Sequence, residues 1–169
     1  YAANIELAEA KAPTGERPAP ADEMKEVATP EQKTIEEVSA FLSIDPKNIL
    51  KTLIVLGEVE KESNDPAPLI ALVIRGDHSL NEIKAEKISA VASPLTFASE
   101  EQVKEVLSAS VGSIGPVGLG IPLYVDRSAA LSANFVCGAN KDDVHLTSVN
   151  WVRDVALAEV VDLRNVQEG

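Results

Sequence analysis

The chain has 169 residues and 45% hydrophobic content, enough for one globular domain with a packed core. Its net charge of −12 argues against wrapping nucleic acid broadly, which needs basic surface, but leaves room for a local grip on a nucleic-acid end. One cysteine, Cys137, excludes an internal disulfide and suits a reducing cytosol, and no apolar run approaches a membrane span. Opening at Tyr1 without methionine or signal peptide, the sequence reads as a piece of something longer in the cytoplasm.

Tyr1 to Ala10 carries a weak helical rhythm through Ile5 and Ala8. From Lys11 to Pro30, prolines at 13, 18, 20 and 30 alternate with Ala, Glu and Lys, the composition of a linker laid across a surface. The expected division is therefore a connecting segment over 1–28 and a domain over 29–169. Thr34 to Leu42 predicts a helix, with Thr34 and Glu37 spaced as a capping box and Ile35, Val38, Phe41 and Leu42 on one face. Capping alone accounts for Thr34. Asp45-Pro46 opens a second short turn.

Lys51 to Gly57 predicts a strand that is apolar on both faces, hence central in a sheet. Lys51 shares a face with Leu53 and Val55. A lysine there either snorkels from the strand end, the commoner case, or holds its cation at the mouth of a pocket. Glu58 to Pro68 is a polar loop, Leu69 to Arg75 a second strand, and Leu80 to Ile88 a helix. His78, at the intervening turn, is expected to be solvated or capping. Ser93 to Thr96 is extended. Ser99 and Gln102 form another capping box, opening a helix to about Ser108 with Val103, Val106 and Leu107 inward.

That helix leads to Ser110–Asp126, which holds four of the nine glycines, at 112, 115, 118 and 120, with prolines at 116 and 122. Glycine permits positive φ and close approach, and proline stiffens the path between. Such a loop can aim N–H groups at one spot, although an ordinary helix-to-strand connection is the better reading of the composition alone. Strands are expected at Ile121–Val125, Asn134–Gly138, Val144–Val149 and Glu159–Leu163, with one helical turn over Arg127–Leu131 and a short helix over Trp151–Leu157. Cys137 reads as a small buried hydrophobe. His145 shares a strand face with Thr147, and a lone strand histidine is more often structural than catalytic.

These elements predict an α+β single domain, with a mixed, largely antiparallel sheet and surrounding helices. No His/Cys cluster has zinc spacing, no Walker or dinucleotide fingerprint occurs, and a nucleophilic triad has too few parts. An enzyme built from this chain would work by positioning substrate and water and by stabilising charge.

Lys51-Thr-Leu-Ile-Val, Leu72-Val-Ile-Arg-Gly-Asp-His78, Leu80-Asn-Glu-Ile-Lys84, Ala92-Ser-Pro-Leu-Thr-Phe97, Gly112-Ser-Ile-Gly-Pro116 and Gly138-Ala-Asn-Lys-Asp-Asp-Val-His145, in this order and spacing, resemble the editing domain inserted in bacterial prolyl-tRNA synthetase. They are also similar to free-standing aminoacyl-tRNA deacylases. The resemblance runs from about Thr29 to Glu168, and the opening Tyr1-Ala-Ala-Asn-Ile-Glu looks like the synthetase segment that leads into the insertion. It implies hydrolysis of alanine wrongly esterified to proline tRNA. The partners implied are the charged tRNA acceptor end and the rest of the synthetase, with no membrane. No metal or cofactor is implied for editing; ATP and magnesium would belong to the synthetase's own catalytic domain.

By the same resemblance the essential lysine falls on Lys51 and the catalytic loop on Gly112, Ser113, Ile114, Gly115 and Pro116. Substrate-binding positions fall on Thr34, Asn134 and His145. His145 is then a pocket wall or amine contact, not a general base. Asn134 stands where many members are expected to have Asp, which changes the charge at that position. The alternatives are a deacylase for another mischarged amino acid, such as cysteine on proline tRNA, and a non-catalytic module binding a tRNA end or a partner.

Overall fold

The computed structural model describes residues 17–60, 62, 64–157 and 159–166. The helical rhythm expected over Tyr1 to Ala10 lies outside these residues. In chain order the elements are strand β1 (Lys25–Ala28), helix α1 (Ile35–Leu42), strands β2 (Leu50–Leu56) and β3 (Leu69–Arg75), helices α2 (Glu82–Glu86) and α3 (Glu100–Leu107), strand β4 (Leu123–Asp126), helix α4 (Arg127–Ala130), and strands β5 (Phe135–Gly138), β6 (Val144–Val149) and β7 (Glu159–Val161). The architecture is α+β, as the sequence predicts.

The strands form two sheets, in the orders β1-β6-β5 and β2-β3-β4-β7. The first is antiparallel throughout. In the second, β2 pairs antiparallel with β3, while β3–β4 and β4–β7 are parallel. A bridge between Ile49 and Val136 joins the two sheets beside β2.

The period-two pattern of β3 explains how one strand organises the core. Val73, pointing one way, packs with Leu50, Val125, Phe135, Leu146 and Trp151. Ala71 and Leu69, on the same face, meet Val103 of α3 and Ile114. Ile70, Leu72 and Ile74 point the other way, toward Ala85 of α2, Val91 and Leu163. The Trp151 indole N–H donates to the Ala129 carbonyl at 2.9 Å, and its ring lies 5.3 Å from that of Phe135. So the large ring is buried without stranding its polar edge.

Both predicted capping boxes form, at Thr34/Glu37 and Ser99/Gln102, and each helix ends on a serine with left-handed φ. Four expectations need correction. β2 is not central but terminal in its sheet; it is buried on both faces because cores lie on both sides. Its outer edge is covered by the 92–98 backbone, through Leu56 N–H to Thr96 O (2.8 Å) and Ala98 N–H to Ile54 O (3.0 Å). Val106 is 56% exposed, because Val103 and Leu107, one turn apart, already fill the face of α3 that meets the core. Trp151–Leu157 is a turn rather than a helix: Asp154 Oδ2 accepts the Asn150 N–H and Val155 O accepts the Val152 N–H, so local bonds replace the helical ladder. Finally, the linker composition conceals β1, which pairs with β6 in the register Val27↔His145.

Asp126 ties the C-terminal part together. Its buried carboxylate accepts N–H bonds from Ser128 (3.0 Å), Leu163 (2.8 Å) and Arg164 (3.2 Å). Removing it would leave donors without a partner in the interior, where each costs about 1–3 kcal/mol. Asp126→Ala is therefore expected to lower stability by about 3 kcal/mol or more, and Asp126→Asn, which keeps one acceptor oxygen, by less. Urea unfolding checks both, and equal losses would mean the negative charge, not acceptor count, carries the effect.

Candidate active site

α1 and its N-terminal cap, the start of β2, the loop after α3, and the adjoining ends of β5 and β6 border a cavity of about 200 Å³. Thr34, Val38, Lys51, Thr52, Gly112, Ile114, Gly138 and His145 are among the residues lining it. Two larger depressions, about 550 and 650 Å³, lie around Lys84, Tyr124 and Asp162 and around Arg17, Trp151 and Arg153. Neither contains any of the expected site residues.

Each wall has a local cause. Thr34 is the N-cap of α1; its hydroxyl accepts the Glu37 N–H at 3.1 Å while the residue borders the cavity, so capping and lining coincide. Lys51 enters from the start of β2. Its ammonium makes no hydrogen bond or ion pair with the described residues, and half-burial pulls its pKa below the ordinary lysine range against the opposing pull of Glu36 and Asp77. Less hydrated than a surface lysine, this cation interacts more strongly with an anion brought to it.

The glycine loop begins with a 3-10 turn over Val111–Ser113. Gly115 packs directly on the Gly138 backbone: a β-carbon on Gly115 would overlap the Gly138 carbonyl oxygen, and one on Gly138 would lie 2.5 Å from Ser113. Asn140 clamps this contact. Its N–H donates to Ser113 O (2.8 Å), its Oδ1 accepts the Gly115 N–H (2.9 Å), and its Nδ2 donates to Val117 O (2.9 Å). Asp142 adds a bond from the Ser110 N–H at 2.8 Å.

The structure thus brings together Thr34, Lys51, Gly112, Ile114 and His145, but not the whole expected set. Ser113, Gly115 and Pro116 do not line the cavity; they are buried behind its wall. The N–H groups of Ser113 and Gly115 are already donated to Ser110 O and Asn140 Oδ1, and proline has none. Val111, Gly112 and Ile114, all at the cavity, have N–H groups that make no hydrogen bond among the described residues. Asn134 is also outside the cavity. Its Oδ1 accepts the Ala21 N–H (2.9 Å) and an Asn150 Nδ2–H (2.9 Å), so it anchors the incoming N-terminal segment.

Sequence reasoning missed Asn140 and Thr29. Asn140 sat in what read as an ordinary turn; its position after Gly138, facing a glycine-rich loop, was the available signal. Thr29 is fully buried with its hydroxyl 2.6 Å from His145 Nδ1. His78, expected to be solvated or capping, is buried, and its Nε2 lies 4.0 Å from Asp77. Cys137 is the buried hydrophobe expected, its thiol pKa pushed far up by burial. Among the described residues no cluster of three or more His, Cys, Asp or Glu side chains is placed to hold a metal ion. None of their helices is long and apolar enough to cross a membrane.

The family model described as "Aminoacyl-tRNA editing domain" matches residues 29–155. Among solved structures, hypothetical protein APE2540 is 26% identical, with a TM-score of 0.67 over 85% of this chain and 92% of that one. A putative trans-editing enzyme for prolyl tRNA synthetase is 22% identical, with a TM-score of 0.67 over 84% of this chain and 87% of that one, a likeness of fold. β1 precedes the region matched by the family model.

Burial lowers the pKa of both histidines; for His78 the Arg75 charge adds to it. Unfolded, each titrates near 6.5. Below that value the unfolded chain holds more protons than the folded one, so stability rises with pH there and is lost as pH falls toward the folded values. The unfolding free energy from urea titrations is expected to drop from pH 7.5 to 5, by at most about 1.4 kcal/mol per pH unit per histidine, and the midpoint with it. His145→Gln should flatten the slope. A midpoint that climbs on acidification would rule out burial as the dominant influence.

Proposed function

The chain belongs to the aminoacyl-tRNA editing domain family, and on that premise we propose that it hydrolyses the ester of alanyl-tRNA(Pro), acting in the context of a prolyl-tRNA synthetase. The observation that carries the reading is the convergence of Thr34, Lys51, Gly112 and His145, distant in sequence, on one small cavity.

Ester hydrolysis passes through a tetrahedral intermediate whose oxygen bears negative charge. Fixed N–H donors stabilise such charge best, because they need not reorganise as it develops; losing one costs roughly 10²–10³ in rate. Val111 and Gly112 carry N–H groups of this kind at the cavity, held by the Gly115–Gly138 contact and the Asn140 clamp. Lys51 supplies a point charge for the terminal phosphate or ribose. Water is the nucleophile, oriented by a substrate hydroxyl. Selectivity is steric: a cavity of about 200 Å³ suits a small aminoacyl group, and editing sites of this kind work as a second sieve.

Support for alanine and proline tRNA comes from the order and spacing of the sequence motifs; the prolyl-tRNA synthetase context is also supported by the fold shared with the putative trans-editing enzyme for prolyl tRNA synthetase. The net charge of −12 fits contact with the terminal nucleotides only, the tRNA body being held by the rest of the synthetase and the segment over 1–28 connecting the two.

Deacylation assays with Ala-tRNA(Pro) and Cys-tRNA(Pro) test the reading. Ala-tRNA(Pro) should be hydrolysed faster, and Lys51→Ala should lower the rate at least about a hundredfold while the urea midpoint is kept. Preference for the cysteinyl ester would reassign the substrate, and tight tRNA binding without turnover would make this a binding module. Gly112 is a poor site for the corresponding test, since a side chain there would press on the Lys33 backbone 2.9 Å away.

Whole-tRNA binding by the 169-residue chain should be weak and only slightly salt-dependent, at roughly −0.7 in log K per log salt for each phosphate contact. A steep slope with tight binding would place the tRNA body on this domain.

A further inference from the structure

Thr29 follows β1 directly, and its place is set by backbone bonds: its N–H donates to Asp143 O at 2.8 Å and its carbonyl accepts the Gln32 N–H at 3.1 Å. The residue has no exposed surface, and its hydroxyl is 2.6 Å from His145 Nδ1. No other side-chain hydrogen bond involves either side chain among the described residues.

A hydroxyl buried this fully needs an acceptor for its proton. Nδ1 of His145 is the acceptor within reach. An imidazole nitrogen accepts only when it carries no proton, and in the neutral ring the proton is then on Nε2. The opposite tautomer would give Nδ1–H to the threonine oxygen and leave the threonine proton with nothing to bind. Burial favours the neutral ring in either case. With Nδ1 taken by Thr29, Nε2 is the nitrogen that His145, 4% exposed at the cavity wall, has left for a ligand.

We infer that Thr29 is a positioning residue that locks His145 as the Nε2–H tautomer, so that His145 offers the cavity a hydrogen-bond donor for an oxygen of the aminoacyl ester or its ribose. A protonated substrate amine needs an acceptor and is turned away by this tautomer, as is any role for His145 as a general base. The ladder β1–β6 places Val27 opposite His145, so a strand upstream of the family region holds both members of the pair in register. The oxygen-ligand assignment rests on the deacylase reading; the tautomer does not.

The full chain, labelled with ¹⁵N histidine, gives the tautomer directly from long-range ¹H–¹⁵N spectra at pH 7.5. His145 is expected with the proton on Nε2 in the wild type and in Thr29→Ser. Thr29→Val, which removes the hydroxyl's hydrogen bond at similar volume, should release the lock, so that the Nδ1–H tautomer becomes detectable beside Nε2–H. With Ala-tRNA(Pro), Thr29→Val should lower kcat about tenfold or more with KM changed less than twofold, and Thr29→Ser should recover most of it. A wild-type His145 protonated on Nδ1 overturns the inference, as does a folded Thr29→Val with unchanged tautomer and kcat. Should the valine variant not fold, the wild-type and serine spectra still decide. An Nε2–H tautomer in a chain that hydrolyses no aminoacyl-tRNA would uphold the lock and remove the deacylase reading.

Discussion

The backbone contact between Gly138 and the Ser113–Gly115 loop is the constraint on which the site depends. The two segments approach until no β-carbon fits between them, and that distance fixes where the loop crosses the end of β5. Close packing of this kind is stiff, because the atoms involved are main chain and have no rotamers to adjust. Val111 and Gly112 therefore stand on one side of the cavity, with Gly138 and His145 on another. Asn140 converts the steric fit into a directional one, binding the loop at Ser113, Gly115 and Val117. A loop rich in glycine would be mobile if isolated; here its polar groups are used to hold it.

A second tension runs through the electrostatics. The protein is strongly acidic, yet its cavity is bordered by Lys33 and Lys51. Desolvation makes the Lys51 charge unfavourable, and the field of Glu36 and Asp77 partly offsets this. An anionic phosphate arriving at the mouth would complete the compensation. Long-range repulsion by the rest of the surface then limits which part of a nucleic acid can come close. For the proposed tRNA substrate, this one charge distribution would favour contact with an end over contact with the body.

The core explains why these features stay in place. β3 is buried along nearly its whole length and serves three apolar clusters, two on one face and one on the other. β2, beside it, is protected at its outer edge by the 92–98 backbone, which removes a free strand edge and leaves the Leu50–Leu53 stretch to face the cavity. The site thus sits on rigid strands, with loops contributing only where another part of the chain fastens them.

Local chemistry was legible in the sequence. The capping boxes at Thr34 and Ser99, the apolar run of β3 and the aspartate-proline turn at 45–46 depend on neighbours within a few positions, and they form as the residues predict. Motif order pointed to Lys51, Gly112, Ile114 and His145, which do meet in one cavity. What the sequence could not express were pairings across long separations. Thr29 and His145 are 116 positions apart, Gly115 and Asn140 are 25, and Asn134 meets Ala21 across 113. Composition marked the segment before Thr29 as linker, because a four-residue strand with three exposed positions has no periodicity strong enough to announce itself. Its strand state comes from the ladder that β6 offers. By itself the sequence determined the elements and the chemistry available to them; tertiary structure decided which polar groups are buried, since burial is a property of what packs on a residue and not of the residue.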